Sequence, residues 1–243
     1  MKRERKAVID TISSLVTQDT IASAHRLISR PETSSNERMR WYLCSYPVFA
    51  RLFSQSQQPI SVEAWIQRVA CVFSWIARIP TPSLDESVIR TLDEIESRYK
   101  NEKLWSTDIP PLVLRRDKDQ DNLLYTERNG DNSANARIEL ERILKPANTL
   151  LNGSGHWDKN LATTTKLLHF MSPNLFPIMD KRIANILEIG KMPNLNNYSC
   201  YFLSLRAFLV ESKNALTWLV STGENPLRII DLIMLTKFGE EQT

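Results

Sequence analysis

Asp180 is reached through Phe176-Pro177-Ile178-Met179 and followed at once by Lys181 and Arg182. A carboxylate delivered by an apolar segment, with two cations directly behind it, suits charge-stabilising chemistry on a polyanion. Beside a carbon that turns cationic, at about 4 Å and an effective dielectric near 20, such a charge contributes roughly 4 kcal/mol. Confined to the transition state, that is about a thousandfold in rate. The same side chain could orient or deprotonate a water. An aspartate at a helix mouth is equally what an ordinary N-cap looks like, because its oxygen accepts from the first free N–H groups.

A second motif lies upstream. Glycine is scarce, only six in the chain, yet two fall within Leu151-Asn152-Gly153-Ser154-Gly155. A Gly-x-Gly turn between helices permits positive φ and leaves amide N–H groups that favour a phosphate oxygen. A plain helix-terminating turn uses glycine the same way. Gly153, Ser154 and Gly155, with Lys166, Lys181 and Arg182, are the candidate phosphate contacts. Trp157, His156, Tyr198 and Trp41 are of residue types that could wall an aromatic pocket. His169, inside Leu167-Leu168-His169-Phe170, is expected to be a hydrogen-bonded core residue.

The elements that must position these groups read as helices nearly throughout. Between Ser61 and Arg78, Val62, Trp65, Ile66, Val69, Val72, Phe73 and Ile76 recur at helical spacing, with Ser61 as N-cap and Pro80 as terminator. From Ser83 to Lys103 the pattern is weaker, with Ile89, Leu92 and Ile95 inward and the acids outward. Further helices are expected over Arg5–Val16, Thr20–Ser29, Asn36–Phe53 (interrupted at Pro47), Ala134–Leu144, Leu161–Met171, Lys181–Ile189, Tyr198–Val220 and Pro226–Phe238. The best strand candidate, Leu112-Val113-Leu114, is too short for a sheet, so the expected class is all-α. Residues 115–133, rich in Asp, Asn and Arg, read as an exposed loop.

Composition narrows the function classes. At 243 residues the chain can bury roughly 70–75% of its unfolded surface and needs neither metal nor disulfide to fold. A net charge of +3 and a pI near 8.7 allow a nucleic-acid partner without demanding one. Three cysteines, Cys44, Cys71 and Cys200, show no metal-ligand spacing, and no metal or cofactor is expected. The charged N-terminus and the absence of a long apolar run point to a cytoplasmic protein with no membrane partner.

Taken in order, helix, Gly-Ser-Gly turn, helix, apolar-Pro-apolar link, aspartate and helix, the segment Leu151 to Leu187 resembles the helix–hairpin–helix DNA glycosylase superfamily. The resemblance implies a single two-lobed all-α domain over 1–243, with the helix–hairpin–helix at 134–171. It implies Asp180 as the catalytic carboxylate and Gly153 and Gly155 as hairpin residues gripping DNA. Gly155 stands farther from Asp180 than is usual in the family, and no lysine follows the hairpin where strand-cleaving members carry their amine. The iron–sulfur cysteines of some branches are absent too. The expectation is therefore a monomeric, monofunctional glycosylase that flips a base from DNA and leaves an abasic site. Its substrate would be a modified base, with glucosylated hydroxymethylcytosine in phage DNA as the specific expectation, by likeness to antiviral defence glycosylases. The alternatives are a base-excision repair enzyme for damaged or mismatched bases, a non-catalytic DNA-binding protein, and a helical interaction scaffold.

Overall fold

The computed structural model describes residues 2–55, 60–76, 81–106, 133–153, 161–190 and 192–240. Among the described residues every regular element is a helix: α1 (Lys2–Leu15), α2 (Gln18–Ser29), a 3-10 turn (Pro31–Thr33), α3 (Glu37–Gln55), α4 (Val62–Phe73), α5 (Glu86–Tyr99), α6 (Ser133–Asn152), α7 (Leu161–Met171), α8 (Lys181–Ile186), α9 (Leu195–Glu211), α10 (Lys213–Ser221) and α11 (Pro226–Glu240). The chain is all-α, and among the described residues no helix is long and apolar enough to cross a membrane. The 115–133 loop reading and the short strand candidate lie outside the described residues, apart from Ser133, which begins α6.

Three helices are apolar on most of their faces and form the interior. Nine of the eleven residues of α7 are buried, as are eleven of the fifteen residues of α9 from Leu195 to Leu209. In α11, Leu227 to Met234 is buried without a break. A helix with no polar face must be covered on all sides. α6, α3 and α4 pack on α7, α1 and α6 on α9, and α2, α8 and α10 on α11. Of these outer helices, α2, α4 and α8 begin on side-chain caps. Ser61 caps α4 by accepting from the Ala64 N–H at 3.2 Å, as its sequence suggests.

Several boundaries differ from those read in the sequence, each for a local reason. α3 runs straight through Pro47 and α6 through Pro146. A proline removes one ladder bond, and tertiary packing on both helices outweighs that cost. The expected helix from Tyr198 to Val220 is two, broken at Ser212 (φ −90°, ψ 69°), where the chain turns so that α10 can reach α2. The acids of α5 do not all face outward: Glu96 is buried against Arg68, and Asp93 accepts from Trp65 Nε1 at 3.1 Å. On α4, Val62 and Ile66 remain 41% and 48% exposed, because Arg68 rather than Ile66 completes the buried face.

Candidate functional site

The link Phe176–Met179 is buried outside any helix, so apart from the Phe176 N–H, which donates to the Ser172 carbonyl at 3.1 Å, its polar groups must be met by side chains. Three are. His169 Nδ1 donates to the Phe176 carbonyl at 2.8 Å, and the Tyr198 hydroxyl donates to the Pro177 carbonyl at 3.2 Å. Thr165 Oγ1 accepts from the Met179 N–H at 3.1 Å. α7 and α9 thus clamp the segment that ends on Asp180.

Asp180 then caps α8. Its Oδ1 accepts from the backbone N–H of Arg182 at 2.8 Å and of Ile183 at 3.1 Å. Among the described residues nothing hydrogen-bonds Oδ2. The side chain is half-buried, with one oxygen fixed by the helix. The N-cap and functional readings of this residue are compatible, because they use different oxygens.

The surroundings are strongly charged. Lys166, one residue past the Thr165 clamp, is half-buried, and its ammonium is pushed down by burial. The carboxylates of Asp180 and Asp231 partly restore it, while Arg38 and Arg182 oppose them. Asp231, buried in α11, is pushed up to about 6, chiefly by burial; the Arg228 guanidinium and the Tyr42 hydroxyl act against that rise. Arg228 is 2% exposed and lies over the rings of Tyr42 and Tyr46, 3.9 and 4.1 Å from their centres. Its Nη1 is 3.5 Å from Asp231 Oδ2, which also accepts the Tyr42 hydroxyl. The site therefore joins α3, α7, α11 and the mouth of α8.

Beneath it, His169 is fully buried and lowered to about 4 by desolvation, so it is neutral at pH 7. A neutral imidazole that donates from Nδ1 must accept at Nε2, so the Tyr46 hydroxyl, 2.8 Å away, is the donor there. His169 is the hydrogen-bonded core residue expected from its apolar neighbours.

The chain matches no protein-family model, no curated protein and no solved structure.

Among the sequence-derived candidates, the structure brings Asp180, Lys166, Lys181 and Arg182 to one place. Lys181 is exposed and Arg182 half-buried. Tyr198 is not an open pocket wall: it is fully buried, and its role is to hold Pro177. Trp41 is 52% exposed on α3, beside Tyr42 and one turn past Arg38. Gly153 ends α6 at φ +71°, its N–H bonded to the Thr149 carbonyl at 2.9 Å, which is the helix-terminating use of glycine. α6 and α7 pack on each other as a helical pair. Ser154, Gly155, His156 and Trp157, between them, lie outside the described residues.

Sequence reasoning passed over Tyr42, Tyr46, Arg228 and Asp231. A signal was there: Arg228 and Asp231 stand at i and i+3 inside Leu227-Arg228-Ile229-Ile230-Asp231-Leu232-Ile233, the most apolar stretch of α11. Two opposite charges within a helix that has no polar face must either pair or serve. Among the described residues no three His, Cys, Asp or Glu side chains are grouped to hold a metal ion. A depression of about 450 Å³ between α1 and α10, bordered by Ser13, Glu211, Lys213 and Trp218, shares no residue with the Asp180 surroundings.

Proposed function

We propose that this chain is a DNA glycosylase that hydrolyses the N-glycosidic bond of a modified base, with Asp180 stabilising the cationic sugar. The observation that carries the reading is the half-buried Asp180 carboxylate: one oxygen is anchored by two backbone N–H groups, the other has no hydrogen-bond partner among the described residues, and Lys166 stands nearby with Arg38 and Arg182 around it. Cleavage of a glycosidic bond develops positive charge at the sugar, and a fixed anion is what that transition state needs. The surrounding cations suit the phosphates on either side of the target nucleotide. Exposed Trp41, next to Tyr42 on α3, offers an aromatic face for a base taken out of its stack.

The resemblance to helix–hairpin–helix glycosylases supports this reading through the order of α6, Gly153, α7, link, Asp180 and α8. The two-lobed architecture of that family and a monomeric state belong to the same proposal. So does the substrate, a hypermodified base such as glucosylated hydroxymethylcytosine in phage DNA.

The test incubates the purified chain with phage DNA carrying glucosylated hydroxymethylcytosine. Unmodified DNA and oligonucleotides carrying deaminated, alkylated or oxidised bases are run in parallel. Alkali-labile abasic sites are the expected product, without strand cleavage before alkali. Asp180→Asn keeps an N-capping side chain and should slow base release about a thousandfold, the equivalent of roughly 4 kcal/mol. Salt-sensitive DNA binding with no base release would leave a DNA-binding protein instead. An adduct trapped by borohydride would turn the reading from hydrolysis to amine-driven strand cleavage through Lys166.

A further inference from the structure

Resting on the glycosylase reading, the geometry points to Tyr42 as the group that protonates the departing base, with Asp231 behind it as the positioning residue that supplies the proton. Asp180 accounts for the sugar half of the reaction and leaves the base half without a partner. A heterocycle leaving with both electrons of the glycosidic bond needs a proton as it goes. The bond from Tyr42 Oη to Asp231 Oδ2 ties the buried carboxyl to a residue that is itself only half-buried, on the α3 side of the site.

Three features suit that pair to proton transfer. Asp231 is held up to about 6 by burial, so it carries a proton over part of the range near neutrality. The phenol of Tyr42 is pushed well up by the same cause, so it passes a proton on and does not rest as a phenolate. Arg228, beside both, is 2% exposed, and its Nε and Nη1 have no hydrogen-bond partner among the described residues. It is a buried cation with unspent donors, lying where negative charge appears when Asp231 loses its proton. A purely structural tyrosine–aspartate bond needs no such reserve.

In the step, the protonated Asp231 carboxyl turns its O–H toward Tyr42 Oη, which frees the Tyr42 proton to point outward. As the glycosidic bond breaks, its electron pair goes to the base nitrogen, which takes the Tyr42 proton. Tyr42 takes the Asp231 proton, and Arg228 meets the carboxylate left behind. Water adds to the sugar carbon opposite Asp180 and releases one proton to solvent, and Asp231 regains one from solvent. The sum is base–sugar plus water giving free base and the abasic sugar.

The charged groups around Asp231 are Arg228 on its own helix, Tyr42 and Tyr46 on α3, Lys166 on α7, Asp180 at α8 and Tyr201 on α9. Of the helices packed on α11, α2 carries exposed Asp19 and Arg26 and half-buried His25, α8 carries Lys181 and Arg182, and α10 carries Lys213.

The test measures single-turnover base release against pH, from 5 to 9, on whichever DNA of the panel above the parent excises. The parent rate should fall about tenfold per pH unit above 6. Tyr42→Phe keeps the ring over Arg228 and should lose about a hundredfold at pH 6, with a flat profile. Asp231→Asn should be slow and flat as well, with DNA affinity unchanged. Tyr42→Phe within threefold of the parent, or Asp231→Asn retaining the parent's pH dependence, overturns the assignment while leaving Asp180 chemistry standing. A parent that releases no base from any DNA sinks the glycosylase reading and this inference together.

Discussion

Arg68 and Arg228 are both buried, both lie over aromatic rings and both face a carboxylate, yet the two regions spend these groups differently. Arg68 binds Glu96 through two nitrogens, and its Nη2 also donates to the Phe53 carbonyl at 2.9 Å. Phe53 and Trp65 cover it from α3 and α4, and Glu96 is 1% exposed. Only the Arg68 Nε has no hydrogen-bond partner among the described residues. Arg228 touches Asp231 only at 3.5 Å, has two nitrogens without hydrogen bonds among the described residues, and adjoins half-buried Tyr42, Lys166 and Asp180. Burial alone does not separate a structural charge from a working one. What separates them is how completely the hydrogen-bonding capacity is used, and whether solvent-facing titratable groups adjoin it.

The largest expected consequence is in stability. Glu96→Gln strips Arg68 of its counter-charge inside a sealed site, and breaking a buried pair from one side costs about 3–5 kcal/mol. Asp231→Asn should cost less, about 1–2 kcal/mol, because the 3.5 Å ion pair it breaks is looser than Arg68–Glu96 and Arg228 keeps both tyrosine faces. Urea melts of the two variants at pH 7 measure the gap. Equal losses would erase the distinction between the closed pair and the open one.

A second difference appears on titration. His169 is lowered to about 4 in the folded chain from 6.5, so its contribution to stability is whole above pH 6.5 and is lost as pH falls toward 4. Asp231 is raised to about 6 from 3.8, so its contribution is whole below pH 3.8 and is lost as pH rises through 6. Each is worth roughly 3 kcal/mol over its window, and within the open site the two oppose each other between pH 4 and 6. Asp231→Asn should therefore lose stability on acidification more steeply than the parent, and His169→Gln less steeply. Thermal or urea stability from pH 4 to 7.5 reads both slopes, and parallel curves for all three proteins would show that the site does not titrate as described.

How much of this was legible in the chain follows from how local each cause is. α7 stands at the bounds its spacing predicts, and Asp180 caps α8 as its neighbours suggest, because caps and apolar periods act within a few residues. His169 was placed in the core by the apolar run around it. Glu96 was misplaced, since its partner Arg68 lies on another helix and an acid among acids reads as solvated. Asp231 and Tyr42 were invisible as a pair for the same reason, being brought together by packing across α3 and α11. Residue type alone makes Tyr198 a candidate pocket wall, but it says nothing about which way a ring on a mostly buried helix must turn. The break at Ser212 escaped because one non-helical residue hardly disturbs a hydrophobic period.

The smallest effect probes the seam where the open site meets the core. Tyr46 spans it: its ring lies under Arg228 and its hydroxyl donates to His169 Nε2. Tyr46→Phe keeps the ring, so the stacking on Arg228 survives, but it leaves a buried imidazole nitrogen without a donor. An unsatisfied buried acceptor costs about 1–2 kcal/mol, and the loss should be visible in urea melts at pH 7. Because Nδ1 still donates to the Phe176 carbonyl at 2.8 Å, the link leading to Asp180 stays clamped. Base release by Tyr46→Phe should then stay within about threefold of the parent, less than one unit of 1.4 kcal/mol. The corresponding cut at Arg68 has no such separation, because there the ring contacts, the ion pair and the backbone bond all converge on a single guanidinium.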